Sequence, residues 1–542
     1  MGLHAGYRSE AVWAKPALGT PPSASQIILS GSPVSAKASL FLPTFIIAAF
    51  APAFCAVTQS NQIQKTGESI PAVDSRTETG KKPVTTAELV AWLAGGVSST
   101  RLARLAEERG LATLPTRKEL QEVQSAGADK ELMHALSSGN VASAEIGPAI
   151  PEGLLKAAEA ARKDEFHTAE LELRQALGAD EENPAFHFAL GVVLRHEEQF
   201  DDAYDELAAA AHLMPDLPEN HSALAYLFYR LDDGPNAIAE ARTALSLDPK
   251  NAEAYQYLGL GLYSNGQYGA AVHAYLESLA HDRNNADTYY DMGIALHADG
   301  NLTGAVDAYR EAIRLRAGFW EAHSNLGLIL HEEGELSKAA EEYRLAQRIA
   351  PHEASIRNNL GNTYCDEGKF DAAIAEMREL YREHPEWQQG HACLASAYMA
   401  KKNYDAAVDE LRLALRQNPT GAQEHRILGQ VLLLDNRVEE AVHELQVAVT
   451  LNPDSEAAHH LLGTALFQNQ KLQAAEKEFR EALRLNATAE NHYSLAACLM
   501  SLDRYEEALG ELETASKLDP GRELYRARRE ELLKLMKDAT PR

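Results

Sequence analysis

Small apolar residues recur with a fixed period along most of the chain. Alanine occupies one phase eleven times, at intervals of 34 residues and a final interval of 33: Ala169, Ala203, Ala237, Ala271, Ala305, Ala339, Ala373, Ala407, Ala441, Ala475 and Ala508. A constant period of this length, with a small residue in fixed phase, indicates stacked helix–turn–helix repeats. With the alanine as the twentieth residue of each repeat, the pattern predicts eleven repeats over 150–183, 184–217, 218–251, 252–285, 286–319, 320–353, 354–387, 388–421, 422–455, 456–488 and 489–522.

Other phases of the repeat have a composition that fits paired helices. The eighth residue is glycine in seven repeats: Gly191, Gly259, Gly293, Gly327, Gly361, Gly429 and Gly463. A glycine inside a helix costs roughly 0.5–1 kcal/mol, so its recurrence indicates that one helix must approach the next closely. The seventh and twenty-fourth residues are large and apolar in most repeats, and we expect them to fill the space between the helices. Proline is the third-last residue in seven repeats, where it ends the second helix.

Repeat length, small positions, aromatic phase and terminal proline together resemble the tetratricopeptide repeat family. The resemblance covers residues 150–522 and implies an all-α fold, a right-handed solenoid of about eleven helix pairs. The first repeat departs most from the pattern, because Gly153 and Lys156 stand where large side chains are usual. Residues 523–542 are predicted to form a capping helix and a tail, as terminal repeats require.

The resemblance also implies a binding groove, since in this family the first helix of each repeat lines the concave side. A helix face that recurs at spacings of three and four predicts the residues that line it. The peptide-binding candidates are Tyr226, Tyr229, Arg230, Tyr263, Tyr290, His297, Asn325, Asn358, Asn359 and Asn362. Tyrosine offers a large, rigid contact area, and asparagine can pair with the backbone of an extended peptide.

The region before the repeats divides into several segments. Residues 84–138 contain four short helical patterns with capping and glycine stop signals, which predict a small helical module followed by a linker over 139–149. The module is interpreted either as a support for the repeats or as a docking module. Residues 57–83 are polar and lack an apolar period, so they are predicted to be a flexible linker.

Residues 1–56 contain a candidate export segment. The run from Leu40 to Val57 is apolar apart from Thr44, and Ala51-Pro52-Ala53 carries small residues where signal peptidases cleave. Three interpretations stay open: a signal peptide cut after Ala53, an uncleaved membrane anchor that tethers the chain, or lipid attachment at Cys55. Each of them predicts an exported protein of the periplasm or cell envelope.

Charge and cysteine usage narrow the possible partners. The chain has 51 basic and 79 acidic residues, a net charge of −28, and no basic stripe, which argues against nucleic acid as a partner. Cys55, Cys365, Cys393 and Cys498 form no CxxC pair, so zinc and dithiol chemistry are not expected. Cys365 and Cys393 fall on neighbouring first helices about six residues out of phase. At 1.5 Å per residue and roughly 10 Å between helices, we expect them to lie beyond disulfide reach.

The sequence contains no catalytic motif of the GxSxG, HExxH or P-loop type, so we predict no enzyme activity, no cofactor and no metal. Histidine recurs at the fourth position of seven repeats: His187, His221, His323, His391, His425, His459 and His492. That position normally takes a packing aromatic residue, and we interpret the histidines as packing residues, with a pH-sensitive stack as the alternative.

The predicted function is a non-enzymatic scaffold that binds a peptide or protein segment in the concave groove. One alternative is an assembly or spacer subunit of an envelope complex, as in polysaccharide export or outer-membrane biogenesis. A second is a substrate-recognition arm for a glycosyltransferase on another chain, because similar repeats serve O-linked N-acetylglucosamine transferases through an asparagine ladder. In that ladder's phase only Asn325 and Asn359 match, which weakens the second alternative.

Overall fold

The computed structural model describes residues 82–143, 147, 149–387 and 389–539. The contacts among these residues define two units, an N-terminal unit that ends at Arg283 and a C-terminal unit that begins at Asn284. The predicted export segment, and the linker as far as residue 81, lie outside the described residues. Within the described ranges, none of the helices combines the length and apolar character needed to cross a bilayer.

The N-terminal unit begins with a module of short helices and strands. Its elements are α1 (Thr86–Ala94), α2 (Ser99–Arg109), β1 (Leu111–Thr113), α3 (Arg117–Ser125), α4 (Lys130–Ser138) and β2 (Val141–Ser143). Thr85 with Glu88, and Thr116 with Glu119, form capping boxes that satisfy the first backbone amides of α1 and α3. The strands β1 and β2 pair in parallel, a feature that three-residue strands are too short to reveal as a periodic pattern.

Four helix pairs complete the N-terminal unit. They are α5 (Glu152–Arg162) and α6 (Phe166–Ala179), α7 (Pro184–His196) and α8 (Phe200–Leu213), α9 (Pro218–Arg230) and α10 (Gly234–Leu247), and α11 (Ala252–Ser264) and α12 (Tyr268–His281). Within each pair the two helices pack on one another, and α6, α8 and α10 each pack on the first helix of the next pair.

Seven further pairs and a last helix form the described part of the C-terminal unit. They are α13 (Ala286–Ala298), α14 (Leu302–Leu315), α15 (Trp320–Glu332), α16 (Leu336–Ile349), α17 (Ala354–Asp366), α18 (Phe370–Glu383), α19 (His391–Ala400), α20 (Tyr404–Gln417), α21 (Ala422–Leu434), α22 (Val438–Leu451), α23 (Glu456–Gln468), α24 (Leu472–Leu485), α25 (Ala489–Ser501), α26 (Tyr505–Leu518) and α27 (Glu523–Ala539). The predicted all-α architecture of consecutive helix pairs is confirmed.

Small residues allow the helices of a pair to approach closely. All eleven periodic alanines are fully buried, at 0% exposure. A Cβ atom added to Gly259 would lie 2.4 Å from Cε1 of Tyr275, the large residue at the twenty-fourth position. At Gly293 the same atom would lie 2.5 Å from Cε1 of Tyr309. The glycine phase therefore marks the place where a large ring from the second helix packs against the backbone of the first.

The N-terminal module packs directly on the first helices of the early repeats. Helix α1 contacts α5 and α7, and buried residues from Val84 to Leu227 form one continuous hydrophobic cluster. Gly95 sits against the Phe188 ring so tightly that a Cβ atom there would lie 2.7 Å from Cε1. Phe188, which the helix periodicity places on the groove side, is consequently buried, so the module covers this part of the first-helix face.

Two ion pairs join the module to the end of the second repeat and the start of the third. Arg101 of α2 binds Glu219 at the start of α9 through its Nε atom. Nη2 of Arg109 lies 3.0 Å from Oδ2 of Asp216, and the Arg109 side chain is almost fully buried. Losing one partner of a buried pair leaves an uncompensated charge. These contacts hold the module against the joint between the second and third repeats.

The prediction that Cys365 and Cys393 lie beyond disulfide reach is wrong. The two residues form a disulfide between α17 and α19, with their Cα atoms 6.0 Å apart. The prediction assumed that both helices begin in equal phase, but α19 begins only at His391, after Gly390 with a φ of 94°. The helices also contact each other directly, beside the small residue Gly361. The two cysteines are therefore closer than their positions within the repeat suggest, because the joint before α19 differs from the others.

Candidate functional site

Three tyrosines form an aromatic surface on α9 and α11 of the N-terminal unit. The ring centroids of Tyr226 and Tyr229 are 6.1 Å apart, and those of Tyr226 and Tyr257 are 5.1 Å apart. All three side chains are half-buried, so each ring keeps part of its surface accessible. We call Tyr226, Tyr229 and Tyr257 the tyrosine platform. It joins the third and fourth repeats through ring contacts.

A buried cation and a carboxylate flank the tyrosine platform. The guanidinium carbon of Arg195 lies 4.4 Å from the Tyr226 ring centroid, a cation–π contact, and Arg195 is only 7% exposed. On the other side, Oη of Tyr257 donates to Oε1 of Glu253 at 2.8 Å. Burial is the main cause that raises the pKa of the Tyr257 phenol, so the phenol stays protonated and keeps this hydrogen bond at physiological pH.

The structure brings together Tyr226 and Tyr229 of the predicted residues, and places Arg230 and Tyr263 in other contacts. Arg230 lies with its guanidinium 5.2 Å from the Phe200 ring and pairs with Glu198 at 3.4 Å. Tyr263 is half-buried, and its ring is 5.4 Å from that of Tyr268 on α12.

Sequence reasoning missed Tyr257 and Arg195, which flank Tyr226. The spacings of three and four trace the groove through the second, fifth, ninth and twelfth residues of a repeat, whereas Tyr257 is the sixth. Arg195 is the twelfth residue of its repeat and lies within that spacing. Tyr257 could have been found in the sequence, because it is an aromatic residue next to the fifth position of its repeat, which was assigned to the groove.

The predicted residues of the C-terminal unit are tied into contacts within the protein. Tyr290 is only 6% exposed, and its ring lies 4.8 Å from Phe319. Nδ2 of Asn325 donates to Oη of Tyr290 at 3.2 Å. Nδ2 of Asn358, which is also buried, lies 3.5 Å from Oδ1 of Asn359.

His297 and the asparagines of α17 leave some polar surface in this unit. Nε2 of His297 lies 3.1 Å from Oε2 of Glu332 in the next repeat. Asn359 and Asn362 are half-buried, one turn apart on α17. Their amide groups are the part of the predicted asparagine cluster that retains accessible surface.

One group of side chains has donor atoms close enough to share a metal ion in the described ranges. It consists of His167, Glu170 and Glu197, whose donor atoms lie within 4.8 Å of one another. Nε of Arg174 already donates to Glu170 at 2.7 Å, and the His167 side chain is 78% exposed. Because the carboxylates have protein partners and the histidine is exposed, we assign no metal to this group.

These features define a helical repeat protein whose first helices present aromatic and amide side chains. A tetratricopeptide repeat model matches residues 154–218, 290–354, 358–422 and 394–456, and a second such repeat model matches 259–300. A model of anaphase-promoting complex, cyclosome, subunit 3 matches residues 449–515. The chain belongs to the tetratricopeptide repeat family. Proteins of this family are generally non-catalytic scaffolds that bind protein partners.

Solved structures of several helical repeat proteins are similar to this chain. The crystal structure of the APC/C hetero-tetramer Cut9-Hcn1 is 15% identical over 72% of this chain and 91% of that chain, with a TM-score of 0.37. A tetratricopeptide repeat protein from Parabacteroides merdae is 18% identical over 46% and 98% of the two chains, with a TM-score of 0.36. The MamA protein is 24% identical over 32% and 94%, with a TM-score of 0.30. The comparison with curated proteins finds no match.

Proposed function

We propose that this protein is a non-enzymatic scaffold that holds a segment of a partner protein against the tyrosine platform. The observation that supports the proposal is the contact of three half-buried rings across two repeats. Tyrosines that are held by their neighbours lose little side-chain entropy on binding and offer both apolar area and a hydroxyl group. Such residues are frequent among those that contribute most of the binding energy at protein interfaces.

The chemistry of the surface indicates what kind of segment would bind. A net charge of −28 disfavours a strongly acidic partner and favours a neutral or basic one. In the C-terminal unit, the accessible amides of Asn359 and Asn362 can pair with the backbone of an extended segment. We therefore propose a neutral or basic segment with apolar side chains as the ligand of the tyrosine platform. Pairing of Asn359 and Asn362 with an extended backbone is a separate proposed contact of the C-terminal unit.

We also propose that the protein acts outside the cytoplasm. The Cys365–Cys393 disulfide supports this, because structural disulfides persist in oxidising compartments and are rare in the cytosol. The apolar run from Leu40 to Val57 supports it independently. Cell fractionation with N-terminal mapping and thiol alkylation tests the proposal. Recovery of a full-length cytoplasmic chain with Cys365 and Cys393 both alkylated would contradict it.

The binding proposal is tested by removing the rings that carry it. Partners captured by the wild-type protein are identified, and the affinity of one purified partner is then measured. We expect Tyr226→Ala with Tyr229→Ala to weaken binding at least about tenfold, which corresponds to about 1.4 kcal/mol. Helical content should not change, because both side chains are half-buried rather than part of the core.

A matched control removes two half-buried tyrosines from second helices of the C-terminal unit. Tyr404→Ala with Tyr505→Ala deletes the same number of rings away from the first-helix face. We expect this variant to bind like wild type. Equal affinity of the wild type and the Tyr226/Tyr229 variant would remove the basis for the tyrosine platform as a binding surface.

A further inference from the structure

The recurring histidines make the same contact in every repeat that carries one. In each case Nδ1 of the histidine at the fourth position faces a carboxylate oxygen of a glutamate at the twenty-third position. The pairs are His187–Glu206 at 2.5 Å, His221–Glu240 at 2.7 Å, His323–Glu342 at 2.7 Å, His391–Glu410 at 2.9 Å, His425–Glu444 at 2.6 Å, His459–Glu478 at 2.6 Å and His492–Glu511 at 2.5 Å. We call this contact the clasp. The interpretation of the histidines as packing residues is therefore incomplete.

In four repeats the other ring nitrogen faces a backbone carbonyl of the preceding joint. The Nε2 contacts are His187 to the Glu181 carbonyl at 2.9 Å, His221 to Pro215 at 3.0 Å, His425 to Pro419 at 3.2 Å and His459 to Pro453 at 3.0 Å. A neutral imidazole has one N–H donor and one acceptor nitrogen, and only the imidazolium form can donate on both sides. A carbonyl and a carboxylate are both acceptors, so this geometry fits a protonated ring.

The seventh repeat makes the same clasp with a permanent cation. Nη1 of Arg357 donates to Oε2 of Glu376 at 3.2 Å, and Nη2 donates to the Pro351 carbonyl at 3.4 Å. Arginine stays protonated in proteins and has no acceptor nitrogen. An arginine that replaces histidine with the same two acceptors indicates that the clasp requires a cation.

The two positions of the clasp also vary together within the chain. Every repeat with histidine or arginine at the fourth position has glutamate at the twenty-third. The two repeats with tyrosine at the fourth position, Tyr255 and Tyr289, have Ala274 and Ala308 at the twenty-third. The first repeat has Gly153 and Glu172 and lacks the cation. In ten of the eleven repeats, therefore, the glutamate is either present together with a histidine or arginine, or absent together with it.

We propose that the His221 clasp is a protonated tie between the third repeat and the joint that precedes it, and that this joint loosens when the imidazolium loses its proton. At His221, Glu240 is the charged group that faces the ring from α10, and the loop before α9 presents the Pro215 carbonyl. Glu481 is a further carboxylate near His459, and the Tyr381 ring stacks on His391 at 4.5 Å. The proposal is independent of ligand binding.

The direction of the pH effect follows from His221. Burial alone would lower the pKa of its ring, but the hydrogen bonds to Glu240 and to the Pro215 carbonyl outweigh burial and raise the pKa above the usual 6.5. A histidine with a higher pKa in the folded chain contributes its full stabilisation below the pKa of the unfolded chain. That stabilisation is lost as the pH rises through the folded pKa.

Hydrogen exchange at individual joints tests the proposal in the full chain. Peptides spanning 213–224 report the His221 joint, and peptides spanning 349–360 report the Arg357 joint of the same molecule. Between about pH 6 and pH 8.5, a range that brackets histidine titration, and after correction for intrinsic exchange rates, protection should fall at the His221 joint. Protection should stay constant at the Arg357 joint, whose cation does not titrate.

Two variants separate the clasp from other titrating groups. His221→Arg copies the seventh repeat and should abolish the loss of protection at the 213–224 joint. His221→Tyr with Glu240→Ala copies the fourth and fifth repeats and should do the same without a cation. Equal pH dependence at the His221 and Arg357 joints of the wild type would overturn the proposal. So would an unchanged pH response of the 213–224 joint in His221→Arg.

Discussion

The twelfth position of the repeat has different roles in the two units. In the third and fourth repeats of the N-terminal unit it holds Tyr229 and Tyr263, whose rings contact other tyrosines of the same repeat and remain half-exposed. In the second repeat it holds Arg195, whose guanidinium lies over the Tyr226 ring of the following repeat. In three successive repeats of the C-terminal unit it holds His297, His331 and Cys365. Each of these three side chains is bound to the following repeat.

The contacts of these three residues progress from hydrogen-bonded pairs to a covalent bond. His297 lies 3.1 Å from Glu332, His331 lies 2.8 Å from Asp366, and Cys365 is joined to Cys393. Cross-links between neighbouring repeats stiffen a surface, whereas half-exposed rings leave it able to take up a ligand. The residue at this one position of the repeat therefore decides whether neighbouring repeats are cross-linked or whether half-exposed rings remain, as on the surface that we propose for ligand binding.

The largest expected effect comes from removing the covalent link. Cys365→Ser with Cys393→Ser opens a loop of 28 residues, and we expect a loss of about 2–4 kcal/mol in the free energy of unfolding. Urea unfolding measures the loss, and hydrogen exchange should place it in the C-terminal unit. Increased exchange in α9 or α11 instead would contradict the division of roles between the units.

Overpacking a close helix crossing should lower the free energy of unfolding somewhat less than loss of the disulfide does. Ala373 is fully buried, so Ala373→Leu should lower the free energy of unfolding by about 1–3 kcal/mol. Ala497→Leu, at a half-buried site of α25, provides the control and should change stability little. An unchanged melting curve for Ala373→Leu would argue against a close crossing at this phase.

A matched pair of glycines compares packing tightness in the two units. A Cβ atom at Gly259 would lie 2.4 Å from the Tyr275 ring, whereas one at Gly327 would lie 3.0 Å from the Tyr343 ring. We expect Gly259→Ala to destabilise by about 1 kcal/mol, because overpacking exceeds the gain in helix propensity. For Gly327→Ala that gain, roughly 0.5–1 kcal/mol, should nearly offset the strain. Thermal unfolding of both variants checks the order, and a larger loss for Gly327→Ala would reverse the comparison.

The smallest expected effect concerns a hydrogen bond between neighbouring repeats of the C-terminal unit. His331→Gln weakens the contact with Asp366 and should lower the free energy of unfolding by about 0.5 kcal/mol, the lower end of the usual range for one hydrogen bond. Exposed His212, replaced by glutamine, serves as the control and should have no measurable effect. A loss as large as that of the disulfide variant would show that the hydrogen-bonded and covalent links stabilise the unit equally.

The candidate site could be predicted only in part. Position within a helix placed Tyr226 and Tyr229 together, because residues three apart share a face. The position of Tyr290 within its helix could not show that Phe319, a residue from outside that helix, would cover it. Nor could the position of Phe188 within its helix show that α1 would cover it, because the two segments are almost a hundred residues apart in the chain.

The sequence by itself determined the repeat architecture, because each helix pair is specified by residues within one 34-residue period. Gly259 and Ala271, for example, belong to the same repeat as Tyr275, whose ring packs against Gly259. Tertiary structure decided the docking of the N-terminal module, the Cys365–Cys393 bond and the closure of the histidine clasps. Each of these depends on the distance between atoms of different elements, which a shift of a few ångströms at one joint, as at Gly390, is enough to change.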